Sequence, residues 1–143
     1  MTRHVLTKSV PSCDELQFLE DRLYEFNSGQ TGREDGHLFA FFIRGEKQEI
    51  LAGLSGWTWA EACEIQTLWV HPSLRGQGYG RELLEAAEQE AREHACKVIL
   101  IASYSFQAPG FYQKCGYELV WQLDDFPPGH QHCALVKRFP EKM

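Results

Sequence analysis

The sequence lacks any apolar run of the length that a membrane helix requires. A bilayer-spanning helix needs about 20 predominantly apolar residues, whereas the longest apolar runs here cover residues 38–43 and 98–102. The first residues, Met-Thr-Arg-His-Val, carry no apolar segment followed by a small-residue cleavage site, so they do not have the pattern of a secretory signal. We therefore expect no membrane partner and a cytoplasmic location.

Basic residues are too few to balance the acidic ones. The chain has 14 Lys and Arg against 20 Asp and Glu, which gives a formal net charge of −6. Nucleic-acid binding relies on Lys and Arg that neutralise phosphates, and no basic run is present here. We therefore expect no nucleic-acid partner.

The cysteine pattern indicates neither disulfides nor zinc. The five cysteines are odd in number and widely spaced, and no CxxC pair occurs among Cys13, Cys63, Cys96, Cys115 and Cys133. A disulfide framework or a structural zinc site usually shows paired, closely spaced cysteines. We expect reduced thiols and no metal.

Apolar residues, by contrast, suffice for a core. Hydrophobic residues make up 43% of the 143 residues and aromatic residues 13%. A chain of this length buries about two-thirds of its unfolded surface. No linker or internal repeat divides the sequence, so we expect a single domain over residues 1–143.

The hydrophobic pattern predicts both helices and strands. Ser12 and Glu15 have the spacing of a capping box and open a first helix that Gly29 can end. Further helices are predicted over 79–95 and 109–116, and seven strands over 3–7, 37–43, 50–60, 63–70, 98–102, 117–123 and 132–139. This order mixes an antiparallel meander with a βαβ unit, which predicts an α/β (α+β) fold around a mixed central sheet.

The second predicted helix is amphipathic. Its apolar stripe consists of Leu83, Leu84, Ala87, Ala91 and Ala95. Glu88 lies outside this stripe, so we expect it to face water and to pair with Arg92, four residues later.

A glycine-rich segment joins the strand over 63–70 to this helix. Gly76, Gly78 and Gly80 would let the backbone approach a phosphate closely, and Arg75 adds a cation. The first amides of a helix lack internal partners and carry the positive end of its dipole, so they favour anions. A Walker A loop and a GxGxxG dinucleotide loop both require residues that this segment lacks.

The segment Arg75-Gly76-Gln77-Gly78-Tyr79-Gly80 instead matches the pattern Arg/Gln-x-x-Gly-x-Gly/Ala, and here the chain resembles the GNAT superfamily of N-acetyltransferases. Two flanking blocks, Leu-Trp-Val-His-Pro at 68–72 and Phe-Tyr-Gln-Lys-Cys-Gly-Tyr at 111–117, fit the same family in order and spacing. The resemblance implies a GNAT fold with a mostly antiparallel sheet of about seven strands, flanking helices and a splayed parallel strand pair.

The resemblance implies acetyl-CoA as co-substrate. Its pyrophosphate would lie on Arg75, Gly76, Gln77, Gly78, Tyr79 and Gly80. The backbone of Leu68 and Val70 would pair with the pantetheine arm in the manner of an added strand. The arm would enter between the splayed strands over 63–70 and 98–102.

The resemblance also implies direct attack of an amine on the thioester. Tyr112 lies where the family carries a tyrosine that protonates the leaving thiolate. Two residues compete as the base that accepts the amine proton. His132 matches a histidine that some small members carry five residues before a lysine, here Lys137, with His130 as an alternative; Glu64 lies 11 residues before Arg75, where other members place a catalytic glutamate.

The acceptor is expected to be a primary amine of a small molecule, attracted by Asp124 and Asp125 in the last loop. The alternatives are an amine of a protein or peptide, and a non-catalytic acyl-CoA-binding module that retains the loop without a working base or acid. A homodimer is a further family expectation.

Overall fold

The computed structural model describes residues 2–140 of the chain. They contain three α-helices, a single 3-10 turn and six strands. The helices are α1 (Cys13–Thr31), α2 (Tyr79–Glu93) and α3 (Pro109–Lys114), and the turn covers Pro72–Leu74. The strands are β1 (His37–Arg44), β2 (Ile50–Trp59), β3 (Ala62–Val70), β4 (Val98–Tyr104), β5 (Glu118–Asp124) and β6 (Gln131–Arg138). No helix within residues 2–140 is long and apolar enough to cross a bilayer.

The chain divides into two compact units, residues 1–34 and 35–143. The single domain over residues 1–143 therefore stays a prediction. In the first unit, the capping box forms as predicted: the Ser12 Oγ accepts a hydrogen bond from the Glu15 amide, and the Glu15 carboxylate accepts one from the Ser12 amide. The helix continues past Gly29 because the left-handed residue that ends it is Gly32, whose amide bonds to the Ser28 carbonyl.

The strand predicted over residues 3–7 is absent, so the sheet has six strands and the prediction of seven is wrong. Val5 and Leu6 are both exposed. Successive side chains of a strand point to opposite faces, so two adjacent apolar residues give no single apolar face to bury.

The second unit is built on a six-stranded sheet of order β1-β2-β3-β4-β6-β5. All neighbours pair antiparallel except β3 and β4, which are parallel. This confirms the predicted mixed, mostly antiparallel sheet. Helix α2 contacts β1, β2 and β3, and α3 contacts β5 and β6.

The core lies between α2, α3 and one face of the sheet. Buried positions alternate along β2, β3, β4 and β6, as expected for a sheet covered on this face. The core includes Ala52, Leu54, Cys63, Ile65, Leu83, Leu84, Ala87, Ala91, Ile99, Ile101 and Leu135.

The prediction that Glu88 faces water is wrong. Its side chain is 7% exposed, and both carboxylate oxygens accept hydrogen bonds from the Lys137 ammonium, at 2.9 and 3.2 Å. Lys137 reaches it from β6, which is distant in sequence, and a buried carboxylate needs such a partner. The expected pairing of Glu88 with Arg92 is therefore wrong.

Candidate active site

A cleft opens where the two parallel strands separate. Strands β3 and β4 pair only from Ala62 opposite Val98 to Ile65 opposite Ile101. Beyond that point β3 continues to Val70 and β4 to Tyr104, each still paired on its outer edge with β2 or β6. The two inner edges carry backbone amides and carbonyls, so an extended molecule can pair with them as an added strand. Leu68 and Val70 lie on this parted section of β3.

The glycine-rich loop lies between the end of β3 and the start of α2. Gly76 and Gly78 adopt positive φ angles of 78° and 89°, which favour glycine. Gly78 is the N-cap of α2 and contributes no side-chain hydrogen bond to the first turn. The amides at the start of this 15-residue helix are thus available to an anion.

Two side chains of the loop are held by the backbone before it. The Arg75 Nε donates to the Val70 carbonyl at 3.1 Å, and the Gln77 Nε2 donates to the Ser73 carbonyl at 3.3 Å. Arg75 is exposed and retains its two terminal nitrogens for an anion. The Val70 carbonyl, however, is already occupied by Arg75, so the pairing expected of Val70 with the pantetheine arm would have to use its amide or replace this bond.

Tyr79 and Gly80 form the first turn of α2, and Gly80 lies close to two other elements. A Cβ at Gly80 would lie 3.5 Å from the Phe111 ring and 3.9 Å from the Val70 side chain. The end of β3, the start of α2 and the start of α3 therefore meet here. Tyr112 follows Phe111 in α3.

Tyr112 is 7% exposed and packs edge-on against Phe111 and Tyr117, with ring centroids 5.3 and 6.0 Å apart. Burial, and to a smaller extent the nearby Cys115, raises the pKa of the Tyr112 hydroxyl. The phenol is therefore protonated at neutral pH, as a proton donor must be.

His132 lies in a cluster of aromatic rings. Its imidazole stacks on Tyr104 and Phe126, with centroids at 4.7 and 5.1 Å, and meets the edge of Trp121 at 5.6 Å. Phe106 extends the cluster by stacking on Tyr104 at 5.4 Å. We call these five residues the aromatic cluster.

His130 lies at the border of this cluster. Its ring meets Phe106 edge-on at 5.0 Å, and its amide donates to the Pro127 carbonyl in the loop between β5 and β6. Asp124 ends β5 and Asp125 begins this loop, and both are exposed. The acidic pair and both histidines thus lie at the same end of the sheet.

Glu64 occupies the paired section of β3, opposite Trp57 on β2 and Leu100 on β4. Burial raises the pKa of its carboxyl group. Its neighbours Cys63 and Ile65 point into the core, so Glu64 points to the opposite sheet face. His132 also alternates with the buried Cys133, so both candidate bases lie on the face opposite α2.

The two candidate bases are far apart on that face. His132 lies opposite Tyr104, whereas Val136 lies opposite Leu100, the partner of Glu64. The separation is therefore about 13 Å along the strands and about 10 Å across them. The structure brings His132 together with Tyr104, but it does not bring His132 together with Glu64.

Sequence reasoning did not predict the aromatic cluster. Its members come from the end of β4, from β5, from the loop after it and from the start of β6. Their register depends on a shift between Leu119 and Trp121 in the β5–β6 pairing, which the sequence does not signal. The spacing of Tyr104 and Phe106, two residues apart at the end of β4, is the one sign that the sequence offers.

Comparison with known proteins agrees with this geometry. The sequence model of the acetyltransferase (GNAT) family matches residues 4–117. Blasticidin-S acetyltransferase of Streptomyces morookaense is 39% identical over 104 residues, which are 70% of this chain and 74% of that protein. Acetyltransferase Atu2258 of Agrobacterium fabrum is 30% identical over 130 residues, or 91% of this chain and 95% of that protein. A solved acetyltransferase from Bacillus cereus has a TM-score of 0.77 at 29% identity and covers 96% of this chain and 98% of its own.

Proposed function

The chain belongs to the acetyltransferase (GNAT) family, and from that premise we propose that it transfers acetyl from acetyl-CoA to a primary amine of a small molecule. The observation that carries this proposal is the parting of β3 and β4 beyond Ile65 and Ile101, beside a glycine loop that opens α2. A cytoplasmic location and a homodimer stay predictions.

The loop and the cleft suit the two ends of the co-substrate. Amides from Gln77 to Gly80, with the Arg75 guanidinium, would hold the pyrophosphate. The arm would then follow the free inner edge of β3 past Leu68 toward Ile65. Acetyl-CoA supplies the activated acetyl group as a thioester.

The transfer itself needs one group that accepts a proton and one that donates it. The amine nitrogen attacks the thioester carbonyl carbon, the carbon–sulfur bond breaks, and the sulfur leaves as a thiolate. We assign His132 as the base that takes the amine proton, directly or through water, with Glu64 as its competitor. Tyr112 would protonate the thiolate, because its phenol is protonated at neutral pH and it follows Phe111, whose ring lies beside Gly80.

The aromatic cluster supports a small, flat or cationic acceptor. Stacked rings offer apolar faces and negative π-surfaces, which attract a protonated amine until it loses its proton. Asp124 and Asp125 add negative charge at the same end of the sheet. The name of the Streptomyces relative, a blasticidin-S acetyltransferase, also supports a small-molecule acceptor.

Binding of acetyl-CoA is tested first, by isothermal titration calorimetry. Gly78→Ala should weaken binding several-fold, because alanine is strained at this positive φ and the loop would leave the conformation that presents its amides to the anion. Gly32→Ala is the matched control, since Gly32 also has positive φ and open space around it but lies at the end of α1. No binding by the unaltered protein would refute the proposal.

Turnover is tested by release of free CoA thiol against a panel of small amines and peptides. Tyr112→Phe should lower kcat about 100-fold and leave acetyl-CoA binding nearly unchanged. Tyr117→Phe is the matched control, because it also removes a buried hydroxyl but its rate should stay the same. Binding without thiol release from any amine would indicate a non-catalytic module, and release with peptides alone would indicate a peptide acceptor.

The base is tested by the pH dependence of kcat/KM. The variant that removes the base should lose the acidic limb of the profile, and His132→Ala is compared with His130→Ala and Glu64→Gln. If His132→Ala keeps the limb and Glu64→Gln loses it, the assignment of His132 is wrong.

A further inference from the structure

A second cluster of ionisable side chains lies outside the proposed active site. His37 is the first residue of β1, Glu90 lies in α2, and His94 is the C-cap of α2. The Glu90 Oε1 lies 3.2 Å from the His94 Nε2 and 3.7 Å from the His37 Nε2. The two imidazole rings stack with centroids 4.9 Å apart.

We propose that His37, Glu90 and His94 bind a divalent transition-metal ion, with Zn²⁺ as the best match. Two imidazole nitrogens and one carboxylate oxygen are ligands that Zn²⁺ commonly takes in proteins. The proposal differs from the expectation of no metal, which followed from the cysteine pattern. It is independent of the acetyl-transfer proposal.

The distances already approach those of a coordination sphere. Ligand atoms about 2.1 Å from a tetrahedral zinc ion lie about 3.4 Å from one another. Two of the three distances here are 3.2 and 3.7 Å, and all three ligand atoms lie within 4.8 Å of one another. Small side-chain rotations would thus bring all three atoms onto one ion.

The backbone prepares this arrangement. Glu90 and His94 are four residues apart, so they project from the same side of α2. His37 is brought alongside by β1, which packs against α2. Sites on helices and strands hold ligands more firmly than sites on loops, so less order must be gained on binding.

Exposure leaves room for the rest of the coordination sphere. The His37 side chain is 54% exposed, whereas that of Glu90 is 18% exposed. One side of the ion would therefore be open to water, while the carboxylate lies in a more desolvated position where its charge attracts a cation more strongly.

The ion would act on stability rather than on the transfer reaction. Glu90 is ten residues beyond Gly80, which is about 15 Å along the helix axis from the glycine loop. A metal ion bound by β1 and α2 would link the first strand of the sheet to the end of the helix. The expected effect is a higher melting temperature with an unchanged rate of turnover.

The test uses tag-free protein stripped with a chelator and titrated with ZnCl2 by calorimetry. One ion should bind per chain. Saturation at about 100 times the Kd should raise Tm by about 8 °C. His37→Gln and His94→Gln should each weaken binding about tenfold or more, and His4→Gln, which removes an exposed histidine elsewhere, should leave the Kd unchanged.

CoCl2 serves as a second probe because its visible spectrum reports coordination. A tetrahedral spectrum without a thiolate charge-transfer band would support histidine and carboxylate ligands. A thiolate band would overturn the ligand assignment, because none of the three proposed ligands is a cysteine. Absence of Zn²⁺ binding, or equal Kd values in His94→Gln and the unaltered protein, would also overturn the proposal.

Discussion

Replacement of Lys137 by methionine tests how the buried ion pair supports the fold. The Lys137 ammonium bonds to both oxygens of Glu88 and to the Cys115 carbonyl at 3.1 Å. In Lys137→Met, the Glu88 carboxylate would keep a single partner among residues 2–140, the Tyr117 hydroxyl at 3.4 Å. A carboxylate with 7% exposure cannot recover its hydration, so the variant retains a desolvated charge.

The cost follows from how far the pair is buried. Breaking a fully buried pair by removing one partner costs about 3–5 kcal/mol. The Lys137 side chain is 26% exposed, so water partly replaces the ammonium and we expect about 3 kcal/mol. Urea unfolding at pH 7, followed by circular dichroism, measures this loss of unfolding free energy.

Two further variants separate burial from charge. Lys97→Met removes a cation from the exposed pair with Glu61, whose side chains are 58% and 37% exposed, and should cost about 1 kcal/mol or less. The double variant Glu88→Leu with Lys137→Met should be more stable than Lys137→Met alone, because no charge stays buried. If Lys137→Met costs no more than Lys97→Met, the argument that Glu88 depends on its partner is refuted.

Three other variants or measurements test the core and the titrating groups. Leu135→Ala should lower the unfolding free energy by about 2–5 kcal/mol in urea, because Leu135 is fully buried and alanine leaves a cavity; a cost below that range would contradict its place in the core. Iodoacetamide should alkylate the exposed Cys13 rapidly and Cys63 only on unfolding, since burial raises the pKa of Cys63 to about 12; equal rates by mass spectrometry would be contrary to this. Burial raises the pKa of Glu64, so the native state holds its proton more tightly and loses stability as pH rises through the native pKa. Urea unfolding across pH should show this loss in the unaltered protein and not in Glu64→Gln.

The parts of the fold predicted from sequence are those set by local chemistry. The capping box at Ser12 and Glu15 forms because both partners lie within one helical turn. The glycine loop likewise depends on positive φ angles that its own glycines allow. Helix α2 depends on the helical spacing of apolar residues within its own sequence. These features need no information from distant parts of the chain.

The features that sequence did not predict depend on contacts between distant residues. Glu88 is paired with Lys137, 49 residues later. Its position on the helix, taken alone, wrongly predicts that its side chain faces water. His37 reaches Glu90 and His94 only because β1 packs against α2. The four-residue spacing of Glu90 and His94 is visible in the sequence. Nothing in the sequence indicates that His37 joins them.

The choice of base depends on how deeply the thioester would lie in the cleft. From Val70 to Ile65 the free edge of β3 spans five residues, or about 17 Å. A fully extended arm would bring the thioester to the point where the strands meet, next to Glu64. An arm that stops partway would leave it nearer the level of Tyr104 and His132. Because the two bases are separated by about 13 Å along the strands, one position of the thioester suits only one of them. The pH profiles of His132→Ala and Glu64→Gln therefore report the depth of the thioester as well as the identity of the base.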